Sequence, residues 1–222
     1  MNKARFVELS HLLHNGMPVY PGFPEPEFGA LLDHQSSRSR YEGRAEFFLG
    51  QVTMPGNLGT YIDSPFHRHR DRCDLSQIPL EALAGLPGLV IDAKIEGREV
   101  VIDATPSELR DKAVLVRTGW DGRWGTDDYW TPGPFLGGRS VDALVEAPAA
   151  LVGVDFWNVD DTDDPARPAH TRLLDAGVLI VEHMCNLGEL PLAGFRFFAP
   201  VLPIVGGASF PVRAFAELED GA

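Results

Sequence analysis

A chain of 222 residues, 44% hydrophobic and 23% charged, has the balance of a soluble globular protein and enough material for one sizeable domain over 1–222. Its net charge of −13 argues against nucleic acid and anionic membrane surfaces as partners, because both select basic patches. No apolar run reaches the roughly 18 residues of a membrane span, the polar stretch 1–10 lacks the apolar core of a signal peptide, and the two cysteines, Cys73 and Cys185, have no CxxC spacing; the expected compartment is the cytoplasm.

With 23 glycines and 18 prolines, the chain is expected to consist of many short elements joined by tight turns. Residues 6–9 alternate like a short strand. Residues 14–26 carry Gly16, Pro18, Pro21, Gly22, Pro24 and Pro26 and read as an extended, stiff loop. Tyr20 sits between these prolines, placed either to stack on a ligand or to pack under its own loop. Residues 47–52 read as a strand leading into Asn57–His67, which is expected to be a rigid loop. Gly59 frees its backbone, and Pro65 fixes φ and keeps Ser64 extended. Asp63, His67, His69 and Asp71 place four titratable groups in nine positions, a density that suits a site better than a scaffold.

Residues 75–83 read as helical, and 89–93 and 100–102 as short apolar runs. Thr105, with Glu108 three residues on, forms a capping box for a short helix over 106–111. Residues 114–118 have a buried-strand pattern ended by Gly119. Residues 120–138 are loop-like and rich in Gly, Pro and aromatics, 141–147 is a helix with Ser140 as N-cap, and 151–154 is a strand. The cluster Asp160, Asp161, Asp163 and Asp164 reads as a solvated acidic loop, with a cation site as the sharper alternative. Residues 168–176 form a helix closed by Gly177. Residues 178–182, 197–205 and 212–215 read as strands. The strand–helix–strand order around 114–154 and 151–182 implies some parallel pairing in an α/β domain with a mixed sheet.

Two constellations carry chemistry. Asp63 and His67, four apart, suit a metal or a base and its orienter. His170 begins a helix and Glu182 ends the strand that follows, so both can lie at one edge of an α/β sheet, where ligands bind in this architecture. Together Asp63, His170 and Glu182 would suit zinc or manganese.

The central stretch resembles the signature of the cyclase family, the kynurenine formamidase and isatin hydrolase group of metal-dependent hydrolases. That signature reads His-x-Gly-Thr-His-x-Asp-x-Pro-x-His; here it stands as Asn57, Gly59, Thr60, Tyr61, Asp63, Pro65 and His67. Residues 9–11, 16–22, 114–120, 152–155, 170–174, 182–187, 206–207 and 211–213 fit the family's other blocks in order. The resemblance implies a swivelling β/β/α fold in a single α/β domain, assembled as a homodimer or higher homo-oligomer. It implies an arylformamidase-like hydrolase of a small amide, lactam or lactone. By position it implies Asp63, His170 and Glu182 for one divalent metal, His67 as general acid/base, and Tyr20 against the substrate.

Asn57 and Tyr61 stand where the family places two further metal-binding imidazoles. An Asn carbonyl is a weak zinc ligand, and a tyrosine must lose a proton with a pKa of about 10 to bind well. The first metal set is therefore expected to be lost. The expected outcomes are a one-metal hydrolase with His67 moving protons, a metal-free cyclase, dehydratase or isomerase using Tyr61 and His67 as acid and base, or a non-catalytic small-molecule-binding protein. Tyr20, Asn57 and Phe66 are candidate substrate contacts, and Trp157 adds to a flat apolar lining. His69 and His183 are possible substitute ligands that read more simply as surface or packed residues.

Overall fold

The computed structural model describes residues 5–218. Its strands in chain order are β1 (Arg5–Glu8), β2 (Glu27–Leu32), β3 (Leu49–Thr53), β4 (Tyr61–Asp63), β5 (Ala84–Asp92), β6 (Lys94–Glu96), β7 (Glu99–Val101), β8 (Ala113–Arg117), β9 (Phe135–Leu136), β10 (Leu151–Val154), β11 (Leu179–Glu182), β12 (Phe195–Phe198), β13 (Ser209–Pro211) and β14 (Phe215–Leu218). The α-helices are α1 (His34–Ser37), α2 (Pro106–Leu109), α3 (Gly138–Glu146) and α4 (Pro168–Asp175). Nine strands form one mixed sheet in the order β1-β14-β12-β5-β8-β10-β11-β4-β13, while β2–β3 and β6–β7–β9 form small separate sheets.

The parallel centre of the sheet is β5, β8, β10 and β11. Parallel strands joined by helices are buried on both faces, which explains why their sequences run continuously apolar. Side chains alternate across each strand. Val114, Val116, Val152, Val154 and Ile180 face the helices and meet Leu109, Leu144, Leu173 and Leu174. Their neighbours Leu115, Leu151 and Val181 face the other way, into a second core with Leu9, Phe195, Phe197 and Ala216. A Cβ at Gly88 would collide with the Phe195 ring, so the glycine makes room for that ring to lie over β5.

The expected parallel pairing and the capping box of α2 are present; Glu108 accepts from the Thr105 backbone N–H at 2.8 Å. Four expectations need correction. Residues 75–83 are not a helix: Asp74 accepts from the Ser76 N–H at 2.9 Å, Leu75 is pinned to Gly207, and Pro79 admits only a single 3-10 turn over Leu80–Ala82. Ser140 is not an N-cap. Helix α3 starts at Gly138 behind Gly137, and the Ser140 hydroxyl instead donates to the Val100 carbonyl at 2.7 Å and accepts from the Ile102 N–H at 2.9 Å. The strand expected over 197–205 stops at Phe198 because Pro200 and Pro203 cannot continue a ladder. Residues 212–214 link β13 to β14 rather than forming a strand with 215.

Candidate active site

The stretch Asn57–His67 is not a loop throughout. Its centre is β4, buried between β11 and β13 and antiparallel to both. The register of those ladders builds the site. Tyr61 lies opposite Glu182 and Pro211; Asp63 lies opposite Ile180 and Ser209. Period-two alternation sends Ile62 into the apolar core and leaves Tyr61 and Asp63 on the opposite face. Cross-strand neighbours then pair directly. The Tyr61 hydroxyl donates to Glu182 Oε2, and the Ser209 hydroxyl donates to Asp63 Oδ1.

After β4, Pro65 starts a single 3-10 turn that brings His67 back over Asp63. Its Nδ1 lies 3.8 Å from Asp63 Oδ1 and 3.2 Å from Ser209 Oγ. His170 enters from the first turn of α4. Its Nε2 is 3.5 Å from Asp63 Oδ2 and 3.6 Å from Glu182 Oε1. Asp160, expected in a solvated acidic loop, is buried and holds His170 from behind. Asp160 accepts from His170 Nδ1 at 2.6 Å and from the α4 N–H groups of Ala169 and His170 at 2.6 and 3.2 Å. A carboxylate at a helix N-terminus satisfies donors that have no intrahelical partner.

The electrostatics follow from this packing. Burial alone would lower His170, but Glu182, Asp160 and Asp63 outweigh it and raise its pKa to about 10. Burial pushes Asp63 up, yet His170, His67 and Ser209 together hold it below the usual carboxylate range. Burial also raises Glu182 to about 7, and it lowers His67, which stays neutral at neutral pH. The Tyr61 phenol is raised well above its ordinary value by burial and by the charges of Glu182 and Asp63.

Tyr61, His67 and His170 form the floor of a cavity of about 340 Å³. Its walls are aromatic: Tyr20, Phe23, Trp124, Trp130 and Trp157, with the Tyr20 and Trp157 centroids 5.8 Å apart. Asn57, Asn158, Tyr61, His67, His170 and His183 add polar atoms, and Arg68 and Arg167 complete the lining. Tyr20, Asn57, Tyr61, His67 and His170 thus reach the cavity, whereas Asp63 and Glu182 lie beneath its floor. Phe66 does not line it; it is half-buried in the turn, its N–H donating to the Cys73 carbonyl. His69 donates from Nε2 to the Thr171 carbonyl at 2.9 Å and ties the turn to α4. His183 pairs through Nδ1 with the buried Tyr129 hydroxyl at 2.8 Å. Sequence reasoning missed Trp124, Trp130, Asn158, Ser209 and both arginines; the aromatic density of 120–138 was the one signal available.

Behind the wall, His11 stacks on Trp124 at 3.9 Å, and burial lowers its pKa to about 4. The unfolded imidazole takes up a proton near pH 6.5 while the folded one stays neutral down to about 4. Stability is therefore complete above pH 6.5 and declines as pH falls toward 4. Asp155, raised by burial to about 6, works in the opposite sense below that pH. In urea melts between pH 6.5 and 4, His11→Gln is expected to make the acid-side slope shallower by about 1 kcal/mol per pH unit. An unchanged slope would show that His11 titrates normally in the folded protein.

Comparison with known proteins places this architecture. Residues 7–161 match the family described as "Putative cyclase". The kynurenine formamidase of Salinibacter ruber is 28% identical over 215 residues, covering 94% of this chain and 95% of that protein. The kynurenine formamidase of Erythrobacter litoralis is 29% identical over 225 residues, covering 99% and 97%. Isatin hydrolase A from Labrenzia aggregata superposes with a TM-score of 0.81 at 25% identity, covering 98% of this chain and 94% of its own. With a family match over more than half its length, and relatives and a solved structure aligned nearly end to end, the chain belongs to the cyclase family.

Proposed function

We propose that this protein is a hydrolase of a carbon–nitrogen bond in a small amide or lactam, with a lactone as the oxygen analogue. The observation that carries the reading is an aromatic-walled cavity opening onto the convergent Asp63, His67 and His170. It agrees with the formamidase and isatin hydrolase activities named for its relatives. A homodimer or higher oligomer in the cytoplasm is part of the proposal. The exposed apolar residues Leu31 on β2, Leu49 and Val52 on β3, and Phe48 just before β3 support association, and no described helix is long and apolar enough to cross a membrane.

The donor set fits one divalent cation. Asp63 Oδ2 is buried and, among the described residues, accepts no hydrogen bond, and donor atoms of Asp63, His67 and His170 lie within 4.8 Å of one another. One carboxylate and two imidazoles suit zinc, and manganese as well. Asp160 fixes the His170 ring through Nδ1 and leaves Nε2 for the ion. Glu182, expected as a ligand, is less suited, because its oxygens already accept from the Val159 N–H at 2.7 Å and from Tyr61. A bound ion would polarise the substrate carbonyl and lower the pKa of water. The chain's own residues do the rest. The aromatic walls hold the ring, and Asn57 and Asn158 orient the amide toward the attacking water. The Tyr61 hydroxyl supplies a proton to the departing nitrogen, with Glu182 as the buried group that exchanges protons with it.

A second reading needs no metal and is favoured by the His170 imidazolium, which already neutralises part of the surrounding carboxylate charge. His67, neutral and a quarter exposed, then serves as base and Tyr61 as acid in cyclisation, dehydration or isomerisation. Elemental analysis and turnover of an aryl formamide and an aryl lactam decide between them. The metal reading expects stoichiometric zinc or manganese in the wild type, its loss in Asp63→Ala, and turnover abolished by chelator and restored by the ion. Metal-free protein that hydrolyses neither substrate, with or without added zinc or manganese, favours the second reading. No cleavage of any amide, lactam or lactone with either ion refutes the hydrolase.

A further inference from the structure

His183 takes no part in the chemistry described above, yet its ring lines the cavity. It follows Glu182 at the end of β11, where period-two alternation would send the next side chain toward the apolar core that Val181 enters. The backbone prevents this. His183 adopts φ 56°, a left-handed conformation that is costly for a residue with a Cβ. Its N–H donates to the Phe156 carbonyl at 3.2 Å, and its carbonyl accepts from the Thr60 hydroxyl at 2.6 Å. The Thr60 oxygen is fixed in turn by the His11 N–H at 3.1 Å. Strain retained at the edge of a cavity points to function.

The hydrogen bond at Nδ1 sets the tautomer. Its partner at 2.8 Å is the hydroxyl of the fully buried Tyr129, and that hydroxyl has no other partner among the described residues. If Nδ1 donated, the phenol hydrogen would be buried without an acceptor, which is costly. The phenol therefore donates, and the neutral ring carries its proton on Nε2. Burial first, and the neighbouring His11 ring second, disfavour the charged form. Nε2 has no hydrogen-bond partner among the described residues, and it is not sealed off as the unpartnered His11 Nε2 is. A fixed N–H thus faces the cavity. Its neighbour there is Tyr61, with ring centroids 5.4 Å apart. The oxygen and nitrogen of an amide flank one carbon, so donors to each must be close neighbours, as these two residues are. Asn57 and Tyr61 bring no imidazole to this end of the floor, and His183 brings one from the end of the adjacent strand.

We infer that the His183 Nε2–H donates a hydrogen bond to the carbonyl oxygen of the amide under attack, and that Tyr129 is the positioning residue that fixes the tautomer. The inference rests on the hydrolase reading above. The proton stays on Nε2 throughout. The imidazole stabilises negative charge on oxygen as water adds to the carbon, and the carbon–nitrogen bond then breaks with the Tyr61 hydroxyl supplying the proton to nitrogen. In His183→Ala, kcat for formanilide is expected to fall about 100- to 1,000-fold, the usual effect of removing one such donor. His183→Gln, whose side chain also ends in an N–H, recovers part of that loss. Tyr129→Phe loses less, with KM nearly unchanged. NMR of nitrogen-labelled imidazoles gives a readout independent of turnover, the His183 signals being those missing in His183→Gln. The wild type is expected to show a proton-bearing Nε2 and a bare Nδ1, and the Nε2–H proton to move downfield when acetanilide is added. Tyr129→Phe is expected to average the two nitrogens. Circular dichroism melts identify a His183 variant that fails to fold, and Tyr129→Phe with the wild-type spectra then carries the test. A proton on Nδ1, an Nε2–H signal unmoved by acetanilide, or a kcat in His183→Ala within about threefold of the wild type would overturn the inference. An Nε2–H signal that responds to acetanilide while formanilide and aryl lactams stay intact leaves the hydrogen bond standing and removes the hydrolase. Formanilide turnover that His183→Ala does not slow removes the hydrogen bond and leaves the hydrolase.

Discussion

Asp160→Ala is expected to lower the unfolding free energy by about 3–5 kcal/mol, the usual cost of removing one member of a buried ion pair. The substitution strips Nδ1 of the His170 imidazolium of its carboxylate and leaves the Ala169 and His170 N–H groups without an acceptor. It also removes negative charge from the N-terminus of α4, where the helix dipole favours it. Asp160→Asn keeps the shape and one acceptor oxygen, and should cost roughly half as much. Asp163→Ala, an exposed neighbour in the same loop, should stay within about 0.5 kcal/mol of the wild type. Urea melts at pH 7 measure all three. A loss below about 1 kcal/mol in Asp160→Ala would mean that Asp63 and Glu182 alone hold His170 in place.

Local signals in the sequence defined the parallel centre of the fold. The apolar runs at 114–118, 151–154 and 178–182 are buried on both faces, and their punctuation by Gly119 and Gly177 is chemically specific. Residues 75–83 have an apolar periodicity that suits a helix, but the turn chemistry of Asp74 and Pro79 overrides it. The site divides in the same way. His170 and Glu182 were legible because they sit at the ends of a recognisable helix and strand, and Asp63 and His67 because they crowd beside Pro65 in a stretch read as a rigid loop. Ser209 was not, because only the β4–β13 register brings it to Asp63 across 146 positions. Asp160 was hidden for a different reason. Four nearby aspartates share one solvated look, and only the fold shows that one of them turns inward to cap α4. The arginines were invisible as a pair because nothing local links Arg68 to Arg167.

Tyr61→Phe is expected to reduce kcat by about 100- to 1,000-fold with a smaller change in KM, the signature of a proton donor that acts in the transition state. The ring still fills its place in β4, so the change isolates the hydroxyl. Its loss leaves Glu182 Oε2 buried without a donor, at a stability cost of about 1–3 kcal/mol. The sign of the pH dependence is fixed by Glu182. Burial already lifts that carboxyl to about 7, and removing the Tyr61 hydrogen bond, which opposes the lift, raises it further. A carboxyl whose folded pKa lies above its unfolded value destabilises the fold when ionised. The Tyr61→Phe penalty should therefore be largest above the raised pKa and shrink as pH falls through it toward the ordinary glutamate range. Melts and kcat profiles across pH 5–9 read both effects on one protein. A stability loss with kcat within about threefold of the wild type would make Tyr61 a cross-strand strut for Glu182 and remove it from the proton path. A kcat collapse with the melt nearly unchanged would instead assign the hydroxyl to chemistry, at the position where the family places an imidazole.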